Sequence, residues 1–407
     1  MKNEKDFKEF VKRFFILILL GLLLGNLLFG FYGFISKGSD NPDDFIMRYR
    51  ESKYLFHGIS PFDIIHGKSE VDLEIGTLWD VAGYTPWGMA CGILFNFTFL
   101  SEKYARLLFF VLYISMMLLA AFITYRITLK KYSKKTSMII TLLMLVIPGW
   151  STGLNWLNYG AIFGALFYFS VLILDKNPVL AGILIGIAAT KPQLAAPFYL
   201  ALLLKKKWKT FFVSIFVPFT AWGVSIILTE TSPFYILQQF FELTNELTGL
   251  LGNWIISFDV YYSISFGGDT LQRIGMILCV LFAFYIWSIM KKNKINDNLT
   301  FFSVSAILSG MWTYSQSHDR TVLMIVILCI AVRFGRLVFC GKKYLLIISI
   351  FLISCIIDTE RFAQMQSCVI SIGSSTILFY DLLKYITWFA LLLFLASFSI
   401  ETAESSR

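Results

Sequence analysis

Long apolar runs recur along this 407-residue chain, and they constrain its fold more than any other feature. A helix needs roughly 20 consecutive apolar residues to cross the hydrocarbon core of a bilayer. Hydrophobic residues make up 57% of the chain and charged residues only 15%, so a soluble protein of this composition could not cover its surface with polar groups. The sequence therefore predicts a polytopic membrane protein with spans near 14–36, 105–125, 137–154, 158–174, 210–229, 271–290, 299–316, 321–339, 344–358 and 376–400.

Lys and Arg are concentrated between these runs. Of the 35 Lys and Arg residues, 23 lie in a few short connections and near the two termini, namely 1–13, 126–135, 205–209, 291–294, 333–343, Lys176 and Arg407. Cytoplasmic loops of membrane proteins carry an excess of these residues. The charge pattern therefore places both termini and all of these connections in the cytoplasm.

A further apolar run, 178–204, is interrupted at Lys191-Pro192-Gln193 and has basic residues on both sides. Because both flanks belong to the cytoplasm, this run has to enter the membrane and return as a short helical hairpin. Non-helical backbone at membrane depth is tolerated only where protein or a cavity covers it. The predicted fold class is thus an all-α polytopic membrane protein of about twelve membrane helices, a single domain over residues 1–407, in the cell membrane.

The segment 37–104 is the largest connection on the opposite, extracytoplasmic side. It carries ten acidic residues against six Lys and Arg, and it contains apolar patches at 45–62 and 79–100. Patches of this kind suit amphipathic helices that lie at the membrane interface. We therefore expect two or more interfacial helices in this loop, without a separate folded domain.

Asp43 and Asp44 follow the first span closely and are candidates for acid–base chemistry. A carboxylate near the membrane surface can accept the proton of an alcohol, as a general base does. The alternative is structural, because Asn41-Pro42-Asp43-Asp44 is also a good start for a helix. The residues alone leave both interpretations open.

Three further groups of polar or aromatic residues fall on the same outer side. Lys191 lies in an apolar stretch, where an ammonium is costly; it either binds a phosphate or extends to the outer headgroups. His318-Asp319-Arg320 lies between two spans and is either a phosphate contact or an ordinary polar turn with Asp319 paired to Arg320. A cluster of aromatic and amide groups near the third outer turn forms an interfacial belt or a surface on which sugars stack: Trp150, Asn155, Trp156, Asn158 and Tyr159.

Four short motifs stand out along the chain. The first is Asp44-Phe45-x-x-Arg48-Tyr49 followed by Gly58 and Pro61-Phe62-Asp63. The others are Tyr84-Thr85-Pro86, Ala181-Gly182 with Gly186 and Lys191-Pro192, and Ser315-x-Ser317-His318. Together they resemble the motifs of the glycosyltransferase C superfamily, in particular glycosyltransferase family 87, whose first-loop pattern is similar to the first motif. The chain departs from the family at Gly160-Ala161-Ile162-Phe163, where Gly-Gln-x-Asn is frequent, and at Arg48, where an aromatic is frequent.

The resemblance implies a hexosyltransferase that takes a sugar, with mannose favoured, from a polyprenyl-phosphate donor. The acceptor would be a hydroxyl of a lipid-linked glycan or glycolipid of the cell envelope, and transfer at the outer face would invert the anomeric centre. The implied catalytic residues are Asp44 and, less favoured, Asp43; the implied phosphate-binding residues are Lys191, His318 and Arg320. The expected substrate-binding residues are Tyr49, Tyr84, Asn155, Trp156 and Gln193.

Other functions remain as alternatives at this point. A transporter or flippase of lipid-linked saccharides would suit the interrupted helix at 178–204, but such proteins place broken helices in both halves of the chain. An O-antigen polymerase or ligase would place its large outer loop late in the chain. No nucleic acid partner, metal or cofactor is expected, although the acidic outer loop leaves a divalent metal open.

Overall fold

Helices form almost all of the secondary structure in the computed structural model, which describes residues 2–38, 41–78, 85–91, 93–254, 269–311, 317–334, 369–372 and 375–397. The first half contains α1 (Lys2–Ser36), α2 (Asp44–Phe56), α3 (Pro61–Ile65), α4 (Pro86–Cys91), α5 (Ile93–Asn96), α6 (Glu102–Leu129), α7 (Lys134–Leu145), α8 (Pro148–Trp156), α9 (Tyr159–Ile173), α10 (Pro178–Ala188) and α11 (Pro192–Leu204). The second half contains α12 (Trp208–Thr229), α13 (Pro233–Trp254), α14 (Asp269–Lys292), α15 (Asn298–Ser309), a 3-10 helix (Ser317–Leu323), α16 (Met324–Cys329), a π-helical turn (Ile330–Phe334) and α17 (Phe379–Ser397). The helical class is confirmed; one antiparallel strand pair, β1 (Val369–Ile372) and β2 (Ser375–Leu378), precedes α17.

Within the described residues, three helices are long and apolar enough to cross a membrane: Lys12–Ser36, Glu102–Leu129 and Trp208–Thr229. α7 and α8 together make a fourth candidate, bent by 44° at Pro148. The expectation of about twelve membrane helices is not confirmed, because runs predicted to span form helices of only 12 to 15 residues, α15 and α9 among them, whereas the short α10 and α11 are the expected arms of the hairpin. The predicted span at 344–358 lies outside the described residues.

The segment 178–204 folds as the expected hairpin. Asn177 caps α10 by accepting a hydrogen bond from the backbone N–H of Leu180, and Pro178 occupies the first helical position, where its missing N–H costs nothing. Pro192 begins α11 in the same way. The two ends of the hairpin lie together, since Lys207 Nζ donates to Asp175 Oδ1 at 2.7 Å.

The basic connections collect at one end of the molecule. Lys135 pairs with Glu9, and Lys131 Nζ donates to the carbonyl of Val332 at 2.7 Å. Arg333 reaches Asp297 at 3.3 Å, and Lys205 donates to the neighbouring residue Asn296. This grouping agrees with the prediction that these connections share one face.

The helices α2 to α5, which follow α1 in the chain, pack onto the longer helices. Phe45 of α2 contacts Phe109 of α6, with ring centroids 4.8 Å apart, and Ser225 of α12 donates to the carbonyl of Pro86 at 2.9 Å. α2 is buried along most of its length, including three charged side chains, Arg48, Arg50 and Glu51. This helix is therefore embedded in protein, and the interfacial position of the loop helices stays a prediction.

α9 lies in the largest apolar core. Almost all of its residues are apolar and buried, as expected for a helix that is surrounded by other helices. It packs against α10, the 3-10 helix and α6, and Phe167 stacks on Phe198 of α11 at 4.2 Å. A rigid α9 fixes the position of its first residues, which border the candidate active site.

Candidate active site

The two adjacent carboxylates at the start of α2 have different environments. Asp43 is the N-cap: its Oδ1 accepts the backbone N–H of Ile46 at 3.0 Å, and the residue is fully buried. Asp44 is the first helical residue and is partly exposed; its Oδ2 accepts a hydrogen bond from Asn158 Nδ2. Successive residues of a helix point about 100° apart. The Asp43 carboxylate therefore caps the helix, while the Asp44 carboxylate points in another direction, toward Asn158.

Arg106 of α6 fixes this arrangement. Its Nε donates to Asp43 Oδ2 at 2.7 Å, and its terminal nitrogen donates to the carbonyl of Phe34 at 2.7 Å. The guanidinium also lies 4.5 Å from the centre of the Phe34 ring. Burial raises the pKa of the Asp43 carboxyl, and the positive charge of Arg106 opposes that rise. One cation thus joins the ends of α1, α2 and α6.

Lys191 lies at the tip of the α10–α11 hairpin and is buried. Its Nζ is 2.7 Å from Asp319 Oδ1, 3.0 Å from His318 Nε2 and 3.2 Å from Asn158 Oδ1. An ammonium has three N–H donors, so this set of partners uses all of them. The buried charge of Lys191 is therefore compensated by Asp319 and held in one direction.

His318 and Asp319 lie in the 3-10 helix Ser317–Leu323, and both are buried. Burial and, secondly, the charge of Lys191 lower the pKa of His318 to about 3. The imidazole of His318 is neutral. Because the Lys191 ammonium can only donate, His318 Nε2 accepts the hydrogen bond from Lys191. The structure pairs Asp319 with Lys191, where the sequence had suggested Arg320 as its partner.

Asn158 connects the two halves of the site. Its Oδ1 caps α9 by accepting the backbone N–H of Gly160 at 2.7 Å and also faces Lys191 Nζ. Its Nδ2 donates to Asp44. A continuous chain of hydrogen bonds therefore runs from the Asp44 carboxylate through one amide to Lys191 and Asp319, on four different elements.

Gly160 makes this close approach possible. A Cβ added there would lie 2.3 Å from Asp319 Oδ1, 2.6 Å from His318 Cδ2 and 2.9 Å from Lys191 Nζ. Contacts this short do not occur in folded proteins, so any side chain would displace the charged pair. In the motif comparison, Gly160 is shared with the family and the residues after it differ. The motif gives no sign of the packing role of Gly160, which comes from residues far away in the chain.

The remaining predicted site residues lie at varied distances from this network. Tyr49 donates its hydroxyl to the carbonyl of Leu100 at 2.7 Å, and Asn155 donates to the carbonyl of Phe29 while accepting from Lys37. The Lys37 ammonium lies over the Trp156 ring at 3.2 Å. Arg320 is buried beside Asp319, Gln193 is half-buried in the first turn of α11, and Tyr84 and Ser315 lie outside the described residues.

Asn158, Asp319 and Arg106 are the site residues that the sequence did not single out for these roles. Asn158 carried one usable signal, since Asn directly before an apolar run predicts a helix cap. The roles of the other two depend on partners more than 60 positions away. In the part of the chain that the structure describes, no group of three or more His, Cys, Asp or Glu side chains could hold a metal ion.

Comparison with known proteins gives the family. The family model for glycosyltransferase family 87 matches residues 84–340. This range contains Asn158, Lys191 and the 3-10 helix and begins after Asp44. No curated protein and no solved structure matches the chain. Because the matched range is well over half of the chain and agrees with the resemblance seen in the motifs, the chain belongs to glycosyltransferase family 87.

Proposed function

We propose that this glycosyltransferase moves a hexose from a polyprenyl-phosphate donor to a hydroxyl of a lipid-linked glycan or glycolipid at the outer face of the cell membrane. We favour mannose on family resemblance alone. The observation that carries the proposal is the chain of hydrogen bonds between Asp44 and Lys191. It places a carboxylate that can take a proton and an ammonium that can balance a phosphate in one site, one amide apart.

The chemistry is a direct displacement. The acceptor oxygen attacks the anomeric carbon, its proton passes to Asp44, and the bond from that carbon to the phosphate oxygen breaks with its electron pair leaving on the phosphate. One displacement inverts the anomeric centre and needs no second carboxylate as a nucleophile, unlike retaining hydrolysis. Asp43 is unsuited to the base role because both of its oxygens are engaged, one by the helix start and one by Arg106.

Lys191 provides the positive charge for the departing phosphate, as preorganised cations do for developing anions. Its three N–H groups are engaged by Asn158, His318 and Asp319, so a phosphate oxygen has to replace one of these partners. The neutral His318 is the partner whose replacement costs least, because exchanging it leaves both the Lys191–Asp319 ion pair and the link through Asn158 to Asp44 intact. Arg320, buried next to Asp319, adds a second positive charge to the same region.

An apolar cavity beside Lys191 supports a lipid donor. It has a volume of about 290 Å³ and lies near the tip of the α10–α11 hairpin, where Ala189 and Pro192, two residues before and one residue after Lys191, are part of its lining. The rest of the lining consists of aromatic and aliphatic side chains, namely Trp87, Tyr199, Ile215, Pro218, Phe219 and Trp222. The Trp87 indole N–H is already bonded to the carbonyl of Ala189 at 2.8 Å, so that side of the lining presents little polarity. A cavity of this kind accepts the first isoprene units of a lipid whose phosphate meets Lys191.

Substitution of the two adjacent carboxylates tests the proposal. Asp44→Asn keeps the shape of the side chain but cannot accept the proton, so turnover should fall about 10²–10⁴-fold with normal folding. Asp43→Asn keeps the cap, which Asn provides equally well, but weakens the bond to Arg106. It should lower the free energy of unfolding by about 1–3 kcal/mol and leave turnover within a few-fold.

The assay is transfer from a synthetic polyprenyl-phosphate sugar by purified protein in detergent, with melting temperature measured alongside. Lys191→Met should weaken donor binding, since it removes the charge partner of the phosphate and the ion pair with Asp319. Near wild-type turnover of Asp44→Asn would refute the base mechanism. Loss of turnover by Asp43→Asn alone, at unchanged stability, would assign the base to the neighbouring residue.

A further inference from the structure

The amide of Asn158 is fixed in one orientation by its partners. Its Oδ1 faces two donors, the N–H of Gly160 at 2.7 Å and Lys191 Nζ at 3.2 Å, and its Nδ2 faces the Asp44 carboxylate. Rotating the amide by 180° would place N–H groups against both donors and an oxygen against the carboxylate. All three contacts would become repulsive, so the network itself decides between the two orientations.

The backbone around Asn158 reinforces this position. Leu157 adopts a left-handed conformation (φ 46°) at the end of α8, which turns the chain so that Asn158 can cap α9. One residue later, the Tyr159 hydroxyl donates to Asn96, and Asn96 in turn donates to the carbonyl of Arg48 at 2.8 Å. The beginning of α9 is therefore tied to α2 twice, at Asp44 and one helical turn further on.

We propose that Asn158 is a positioning residue for the transfer reaction: it holds one oxygen of Asp44, leaves the other to face the acceptor hydroxyl, and sets the spacing between Asp44 and Lys191. This inference rests on the proposed function, in which Asp44 is the base. The Asp44 carboxylate in α2 and the Lys191 ammonium at the start of α11 both bind this one amide. No other described side chain links the carboxylate to the ammonium.

Asn158→Asp is the sharpest variant, because it keeps the size of the side chain and its ability to cap α9. One carboxylate oxygen takes over the bonds to Gly160 and Lys191, and the other then faces Asp44 Oδ2 without a proton between them. Two carboxylates in contact cannot both ionise freely. The substitution leaves the other charged groups near Asp44 unchanged. These are Lys37 directly after α1, Asp43 and Glu51 in the α2 segment, and Lys191 and Asp319 on the other side of the Asn158 side chain.

Asn177→Asp is the matched control. Asn177 caps α10 through the same kind of bond, at 3.1 Å to Leu180 N, but it is at the basic end of the molecule and away from Asp44. In the transfer assay, Asn158→Asp should shift the acid limb of the pH profile of turnover upward by about one unit, and Asn177→Asp should leave it in place. Asn158→Ala should lower kcat by up to about 100-fold with KM changed less than about three-fold, because the carboxylate loses its position.

A stability measurement tests the contact without using activity. The melting temperature of Asn158→Asp relative to wild type should fall as pH rises from 5 to 8, and the double variant Asn158→Asp/Asp44→Asn should lose this pH dependence. If both the pH profile and the relative melting temperature of Asn158→Asp match those of wild type, the positioning role is wrong even when Asp44→Asn is inactive. If the melting data show the coupling but Asp44→Asn remains active, the contact stands, and the proposed function, with the role that rests on it, fails.

Discussion

Replacing Gly160 by Ala tests how closely the site is packed. The added methyl group would lie 2.3 Å from Asp319 Oδ1 and 2.9 Å from Lys191 Nζ, whereas ordinary contacts begin at 3.4 Å. Asp319 therefore has to move by about 1 Å, or α9 has to shift away from the 3-10 helix. Neither partner is a flexible chain end, because Asp319 is held by Lys191 and α9 is embedded in the core.

Gly160→Ala should affect stability and turnover by different amounts. Overpacking of a filled interior costs about 1–3 kcal/mol of stability, which the whole membrane domain can tolerate. A displacement of about 1 Å in catalytic groups can reduce the rate about 100-fold. We therefore expect Gly160→Ala to fold, to melt a few degrees lower, and to lose about 100-fold in turnover.

Gly223→Ala in α12 is the matched control. A Cβ there meets no atom within 4 Å, and Ala favours a helix over Gly by about 1 kcal/mol. This variant should keep its turnover and melt at the same or a higher temperature. Turnover and melting temperature of Gly160→Ala equal to those of the control would refute the close packing of Gly160 against Lys191 and Asp319.

Two further predictions concern the buried charges of α2. Burial raises the pKa of Glu51 to about 7, against the opposing effect of Arg48, so its contribution to stability is present below about pH 4.5 and is lost as pH rises through 7. The melting temperature of wild type relative to Glu51→Gln should therefore fall between pH 5 and 8, and a constant difference would contradict this. Arg106→Ala leaves the buried Asp43 carboxylate without its cation and should cost about 3 kcal/mol, seen as a lower melting temperature; Arg106→Lys, which keeps the charge, should recover part of the loss.

The sequence predicted the parts of the site that depend on local chemistry. Asn41-Pro42-Asp43-Asp44 reads as a helix start, and α2 begins there with Asp43 as its cap. The charge pattern required a hairpin at 178–204, and the structure places Lys191 at its tip. These inferences needed only helix-capping rules and the cost of a charge among apolar residues.

The parts that failed depend on distant contacts. Asp319 pairs with a lysine 128 positions away, while the sequence offered the adjacent Arg320. The count of about twelve membrane helices assumed that every apolar run outside the hairpin crosses the membrane, but α9 and α15 are too short for that within the described residues. Composition measures how apolar a run is and does not distinguish burial in lipid from burial in protein.

Because of the contacts of Arg106, the rate of transfer should depend on the thickness of the bilayer. The apolar part of α1 has 25 residues and is about 38 Å long, which is longer than a hydrocarbon core of about 30 Å. Because Arg106 joins the Phe34 end of α1 to Asp43, the height of the neighbouring Asp44 above the bilayer midplane is fixed by the protein. In the proposed function, the phosphate of the lipid donor moves with the surface of the bilayer instead. A thicker or thinner membrane therefore shifts substrate against carboxylate, and transfer should be fastest in lipids of one matched chain length.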